Sequence, residues 1–399
     1  MTTGTTLARD NAPTNSLVAL FRSNIRQYSM LIALIAIMAF FQIMTDGTLM
    51  KPVNLTNLIL QNSYIVIMAI GMLLVIVAGH IDLSVGSVAA FVGAVAAVLM
   101  VDYHVNFILV IIAGLVLGGV IGAAQGYWVA YQRIPSFIAT LAGMLVFRGL
   151  TLAMLQGQSV GPFPTGFQKL SSGFLPDFFG GETLHITSLI ISVLVSLVIV
   201  YLDWNGRRNQ VKYGFEVSPF ALFVVKNILI SAAIIYMTYL MSSYKGLPNV
   251  LVVLFILIVA YAFFTNQTVS GRRIYAMGGN SKAAALSGVN TKKLTFLTFV
   301  NMGMLAALGG LIIAARLNVA TPKAGTGIEL DVIAAAFIGG ASATGGIGTV
   351  IGAVVGALVM GVMNNGMSIV GIGIDWQQAI KGLVLLFAVW FDVRSRMKS

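Results

Sequence analysis

Few of the charged side chains in this 399-residue chain sit where chemistry could use them. Asp82 and Ser84, in the run Ile81-Asp82-Leu83-Ser84, fall between two apolar stretches, and Glu329 and Asp331 stand in the same relation to a later one. A carboxylate in or beside an apolar run is costly and usually earns its place by function. Each of these groups also has a plainer role open to it, since Asp and Ser cap helix N termini. Arg148 and Lys381 lie inside apolar stretches and must either snorkel or pair. His80, His104 and His185 are too scattered to suggest a metal centre. With no cysteine there is no thiolate ligand, disulfide or Cys nucleophile. No HExxH and no Ser/His pair at helical spacing is present, which disfavours an intramembrane enzyme. The dipeptide Gly-Lys never occurs, so no phosphate loop is encoded, and any ATP that drives this chain must bind elsewhere.

Apolar elements dominate the positioning of these groups. The chain is 58% hydrophobic and 9% charged, with a mean hydropathy of +0.95. Soluble domains carry about a quarter charged residues, and a chain of this size could not hide so much apolar surface from water. An all-α polytopic membrane protein follows. Spans of roughly 20 apolar residues number twelve, near 28–45, 57–79, 84–101, 107–131, 135–155, 184–203, 222–242, 248–265, 294–315, 330–345, 347–366 and 376–392. Residues 1–28 and 393–399 read as tails. With both tails inside, fifteen Lys and Arg fall in inner segments and five in outer loops, the asymmetry that sets orientation. The net charge of +11 is therefore read as topological rather than as a nucleic-acid footprint.

Glycine spacing speaks to packing. Gly114, Gly118, Gly122 and Gly126 recur every fourth residue in the fourth span, and Gly348, Gly352 and Gly356 in the eleventh. On a helix that spacing lines one face and admits another backbone. The two stripes also align at an offset of 230 residues, and Arg148-Gly149-Leu150 aligns with Lys381-Gly382-Leu383 slightly farther on. If spans 1–5 match spans 8–12, the seven-span offset inverts one half relative to the other, as in many transporters. The expected core is then a 5+5 inverted repeat, 29–155 and 248–392, with 184–242 linking the halves and contributing an inserted helix pair.

The longest inner segment, 266–293, carries Arg272, Arg273, Lys282, Lys292 and Lys293. Gly278-Gly279-Asn280 reads as a turn, followed by a short helix from Ser281 to Leu286, with Ser281 as its cap and Gly288 beyond its stop. Such an element suits docking of a partner or simply sets topology. On the outer side, Gly157–Gly181 holds three prolines and five phenylalanines and reads as a lid, a receptor-facing loop or a headgroup contact.

Several ordered motifs carry a family resemblance from about residue 30 to 392. These are IDLSVGS at 81–87, IPSFIATLAGMLVFRG at 134–149, GRRIYAMGGNSKAAALSGVN at 271–290, and ELD followed by AAAFIGGAS at 334–342. They resemble the membrane permeases of bacterial carbohydrate ABC importers, in the ribose/xylose/galactose branch. The resemblance implies a homodimeric, multi-pass permease of the bacterial inner membrane, both termini cytoplasmic. Two cytoplasmic sugar-import ATPase subunits would power it, holding ATP and magnesium, and a periplasmic sugar-binding protein would deliver substrate; no cofactor is expected on this chain. It also implies that 266–293 carries the coupling element, with Arg272, Arg273, Gly278, Gly279, Asn280, Ala284, Leu286 and Gly288 facing the ATPase. Asp82, Ser84, Phe137, Thr140, Glu329 and Asp331 are the candidates for the translocation path. His80 departs from the family pattern and inherits no role. A proton-coupled transporter relaying through Asp82, His80 or Glu329 is the rival from the residues alone.

Overall fold

Why this chain folds as it does is set by the lack of water in a bilayer core, where every backbone polar group must be satisfied within its own helix. The computed structural model describes residues 25–181, 184–215, 217 and 219–397, so most of the amino-terminal tail lies outside the described residues. Fifteen α-helices follow in order: α1 Ile25–Met44, α2 Pro52–Val77, α3 Val85–Ala97, α4 Phe107–Ala130, α5 Ser136–Leu155, α6 Thr165–Gln168, α7 Ile186–Lys212, α8 Phe220–Ser242, α9 Asn249–Gln267, α10 Val269–Gly279, α11 Ser281–Leu286, α12 Thr291–Leu317, α13 Ile328–Ile338, α14 Val350–Val370 and α15 Ile374–Met397. A single π-turn, Val98–Asp102, extends α3. Among the described residues nine helices are long and apolar enough to cross a membrane. The protein is an all-α polytopic membrane protein.

Each of the twelve expected spans contains a helix, but the tenth is not a full one. At 11 residues α13 is about 16 Å long, roughly half the hydrocarbon thickness. Irregular backbone flanks it on either side. Segment 318–327 leads from the end of α12 to Gly325, which lies against Gly86 at the start of α3. Segment 339–349 leads away to the far end of α2, where the Gly346 N–H donates to the Val77 carbonyl at 2.8 Å. Within the second segment Ala341 and Ser342 are fully buried, while Ala343, Thr344, Ile347 and Thr349 are exposed.

The centre of the molecule is α2, whose inner residues from Ile65 to Val77 are all buried. It packs on α12, α13 and α14, while α12 packs on α2, α3 and α4. The helix partnerships recur with the halves exchanged: α4 with α12 and α14 with α2, α3 with α12 and α13 with α2, α3 with α5 and α13 with α15. Gly118, Gly122 and Gly126 face α12, where a Cβ would run into backbone of Gly303, Phe299 and Phe296 respectively, and Gly114 sits against Val92 and Leu311. Gly352 and Gly356 meet α13 backbone at Gly339 and Ala335. Gly348 departs from the expected stripe. It precedes α14 rather than lying on it, with φ +154° and its open side toward Leu73.

The linking pair α7 and α8 pack on each other, and α8 also packs on α2. The two are also joined by Asp203, which takes Lys226 Nζ at 2.6 Å and Asn227 Nδ2 at 2.8 Å. In the outer loop, Phe163 and Phe167 are buried rather than spread on a membrane surface, while Phe178 and Phe179 are exposed. Backbone pairs Val160–Ala320 and Phe174–Pro248 tie this loop to the segments flanking α12 and α9. Asp177 organises its end, accepting from the Thr187 hydroxyl at 2.7 Å and from the amides of Thr187, Gly181, Phe179 and Ile186. The Thr187 hydroxyl first, and these amides with it, hold the Asp177 carboxyl well below the usual carboxylate range. Because the folded value is depressed, the contribution is complete above the ordinary range and is lost only as pH falls well below it. Amide exchange at Phe179, Gly181, Ile186 and Thr187 is therefore expected to stay slow below pH ~4 in the wild-type protein. Asp177→Asn should speed exchange at those amides at neutral pH; equal protection in both proteins would refute the assignment.

Candidate translocation and coupling site

Two strands of evidence meet where α3 and α13 begin, because the helices point their N termini at one another. A Cβ on Gly86 would overlap the Gly325 carbonyl and lie 2.5 Å from Glu329 Oε2. Helix N termini carry partial positive charge, so two of them head to head favour an acid between them.

On the α3 side the strap 78–84 is held by α5. Thr140 Oγ1 accepts from the Leu83 amide at 3.1 Å and Ser136 Oγ from the Ile81 amide at 3.3 Å. Asp82, only 3% exposed, accepts from the Ser84 amide at 2.8 Å and from its hydroxyl at 2.6 Å. The Ser84 side chain makes no cap bond to the helix it precedes. Its hydroxyl turns sideways to Gln125, whose Nε2 lies 2.8 Å away. The capping expectation for Ser84 is thus corrected, and the hydroxyl completes a buried Asp82–Ser84–Gln125 chain instead. Phe137 takes no part and is 54% exposed on α5. His80 lies against the Phe299 ring, centroids 5.8 Å apart.

Gln125 was absent from the sequence-based candidates, yet its signal was there: it is the single amide side chain in the whole run Phe107–Ala130. It closes the floor of a cleft of about 410 Å³ between α4 and α5, lined also by Trp128, Ile138, Gly143 and Phe147. Gly143 is required there, since a Cβ would come within 2.6 Å of Gln125 Nε2. The cleft offers aromatic faces and one amide, with no charge.

On the α13 side one acid is paired within its own half and the other across to the first half. Lys381 Nζ lies 3.0 and 3.1 Å from the two oxygens of Asp331, and Asn364 Nδ2 donates to Asp331 Oδ2 at 3.2 Å. Arg148 Nη2 lies 3.6 Å from Glu329 Oε1. The two cations that align in sequence thus serve acids one helical step apart on the first turn of α13. Glu329 and Asp331 are both buried there, so neither is a mere surface cap.

The inner segment 266–293 is more helical than expected. Gly278 and Gly279 end α10 rather than forming a turn, and the break falls at Asn280. Asn280, not Ser281, caps α11, its Oδ1 accepting from the Ala283 amide at 3.0 Å. An amide one position earlier reaches the third residue on, which Ser281 inside the first turn could not do. Gly288 follows the stop with φ +83°. Ala284 is buried, whereas Leu286 stands 91% exposed and Arg272 and Arg273 are exposed on α10.

Anchoring of this segment runs through backbone. Gly278 presses on the Val77 carbonyl so closely that a Cβ would overlap it, and Gly346 donates to that same carbonyl. Tyr275 donates from its hydroxyl to the Gly348 carbonyl at 2.9 Å. The 339–349 loop that receives both contacts joins the end of α13 to the start of α14. A displacement of α10 and α11 therefore has a short covalent and packed route to the helix that bears Glu329 and Asp331.

Residues 54–389 match the family described as branched-chain amino acid transport system/permease component. The chain belongs to this permease family. It is 40% identical over 377 residues to the xylose transport system permease protein XylH of Escherichia coli K12, covering 94% of each chain. It is equally similar to XylH of Haemophilus influenzae, covering 98% of that protein. Against the ribose import permease protein RbsC of Escherichia coli K12 the identity is 36% over 339 residues, 85% of each chain. No solved structure matches. This permease is a transport subunit and not an enzyme, and its apolar helices place it as a multi-pass protein of the inner membrane.

Proposed function

We propose that this permease forms the membrane path of an ATP-driven sugar importer for D-xylose or a related pentose or hexose. The reading is carried by the identity of 40% over 94% of the chain to permeases named for xylose transport. It works as a homodimer with both termini cytoplasmic, alongside two cytoplasmic ATPase subunits that hold ATP and magnesium and a periplasmic sugar-binding protein. The two halves of each copy are inverted relative to one another, in keeping with the odd offset and the exchanged helix partnerships.

In this mechanism α11 docks on the ATPase through Leu286 and the adjoining basic residues Arg272 and Arg273. Closure of the ATPases shifts α10 and α11, and the Gly278–Val77–Gly346 contact carries the shift to the loop before α14 and to α13. Movement of α13 against α3 alternates access to a path that includes the Asp82–Ser84–Gln125 chain and the cleft beside it. A neutral sugar needs hydrogen-bonding groups and aromatic faces rather than counter-charge, which the cleft supplies and the paired acids do not disturb.

Co-purification and proteoliposome uptake with the cognate ATPase and binding protein test both parts. Arg272→Glu with Arg273→Glu is expected to lower ATPase association and xylose uptake at least tenfold. Gln125→Leu is expected to lower uptake while association persists. Intact association in the first variant would overturn the docking assignment. Uptake that survives without ATP and collapses with the proton gradient would overturn the importer reading in favour of proton coupling.

A further inference from the structure

A second, larger cleft of about 620 Å³ lies between α9, α10 and α12, and the proposed mechanism leaves it unused. Ala260, Phe263, Phe264, Ile274, Leu294 and Leu297 make its walls overwhelmingly apolar. Its volume lies in the range that holds one ligand-sized body, and apolar walls of this kind do not hold ordered water. Tyr261 and Asn301 also line it, and the Tyr261 hydroxyl is satisfied by donating to Asn301 Oδ1.

The end of the cleft is basic. Ser270 and Ile274 of α10 line it, and Arg273, three residues on from Ser270, is its i,i+3 neighbour on the helix surface. Lys293 is one turn before the lining residue Leu297 on α12 and shares its face. Arg272 and Lys292 adjoin them, and all four are exposed. No acidic residue occurs in sequence between Glu216 and Glu329, and among the described residues none of the four cations forms an ion pair. The N terminus of α12 adds its own positive end. An apolar slot running from an uncompensated basic mouth matches one molecule in both its parts.

We propose that this cleft binds one acyl chain of an anionic phospholipid, with the phosphate held by Arg273 and Lys293. The basic mouth supplies headgroup selectivity, as basic pockets between membrane helices do, and the slot supplies retention. Because α10 also carries the contact to Val77, the bound lipid braces the coupling segment against α9 and α12.

Native mass spectrometry of the full-length permease alone, in detergent, tests this with dioleoyl-phosphatidylglycerol against dioleoyl-phosphatidylcholine. The wild-type protein should retain one phosphatidylglycerol at least tenfold more strongly than phosphatidylcholine. Arg273→Ala with Lys293→Ala should remove that preference, each cation being worth about fivefold. Ala260→Trp, which plugs the slot, should abolish retention with the basic mouth intact, and Leu297→Trp on the facing wall provides a second plug. Preserved selectivity in the double alanine variant would overturn the headgroup site. Undiminished phosphatidylglycerol retention in both tryptophan variants would reduce the effect to a basic surface and overturn the cleft as its seat.

Discussion

Gly278→Val is expected to abolish sugar uptake, while Gly279→Ala, one residue away, should leave it within about twofold of wild type. The contrast comes from what each added carbon meets. At Gly278 the new Cβ overlaps the Val77 carbonyl oxygen and reaches the Gly346 amide, both backbone, whereas nothing lies within 4 Å of a Cβ at Gly279. Overpacking against side chains typically costs ~1–3 kcal/mol because they can move. The Val77 carbonyl sits at the end of the most deeply buried helix and is fixed by the Gly346 hydrogen bond, so α10 must move instead. The Tyr275–Gly348 bond would be strained with it. ATPase association, read by co-purification, should persist because the docking side chains Leu286, Arg272 and Arg273 are themselves unchanged, and uptake should fall at least tenfold. Uptake near wild type in Gly278→Val would show that α10 is not the link between the inner surface and α13.

The second large effect is expected at Lys381. Lys381→Met leaves Asp331 buried with Asn364 as its remaining polar partner. Removing one member of a buried pair costs about 3–5 kcal/mol, because the other charge stays in place without compensation. Replacing both by apolar groups of similar volume is often neutral. Thermal denaturation of the detergent-solubilised protein should therefore show a large loss for Lys381→Met and a near-complete recovery for Lys381→Met with Asp331→Leu. Equal melting of the single and double variants would refute the ion pair as the cause. Lys381→Arg keeps the charge and should melt close to wild type. The corresponding change at Arg148 should cost less, since its guanidinium is 34% exposed and 3.6 Å from Glu329, so water shares the work of compensation.

These two sites differ in how far the amino-acid sequence alone reveals them. The positions of Arg148 and Lys381 as misplaced cations are plain from hydropathy, and their equivalence follows from the motif Arg/Lys-Gly-Leu. Their partners are not, because Arg148 and Glu329 are 181 residues apart and any of several acids has the same local pattern. Gly278 shows the opposite case. Its sequence neighbourhood, Gly-Gly-Asn, has the composition of a turn, yet the two glycines close a helix, and a neighbouring backbone needs the missing side chain of Gly278. Local propensity cannot distinguish a glycine used for its φ from one used for its emptiness.

The membrane class, the lengths of the apolar stretches and the glycine face of α4 are properties of the chain itself. Bilayer thickness fixes the span length, and a helix with a bare stripe must pack that stripe, whatever its partner. Tertiary structure alone decided that the tenth apolar stretch folds as an 11-residue helix flanked by irregular backbone, packed against the start of α3 and the end of α2. It alone joined Gln125 to Ser84 and Asp82, and α13 to both cations. A buried polar group is stable only against the partner the fold brings to it, and that partner is not a neighbour in sequence.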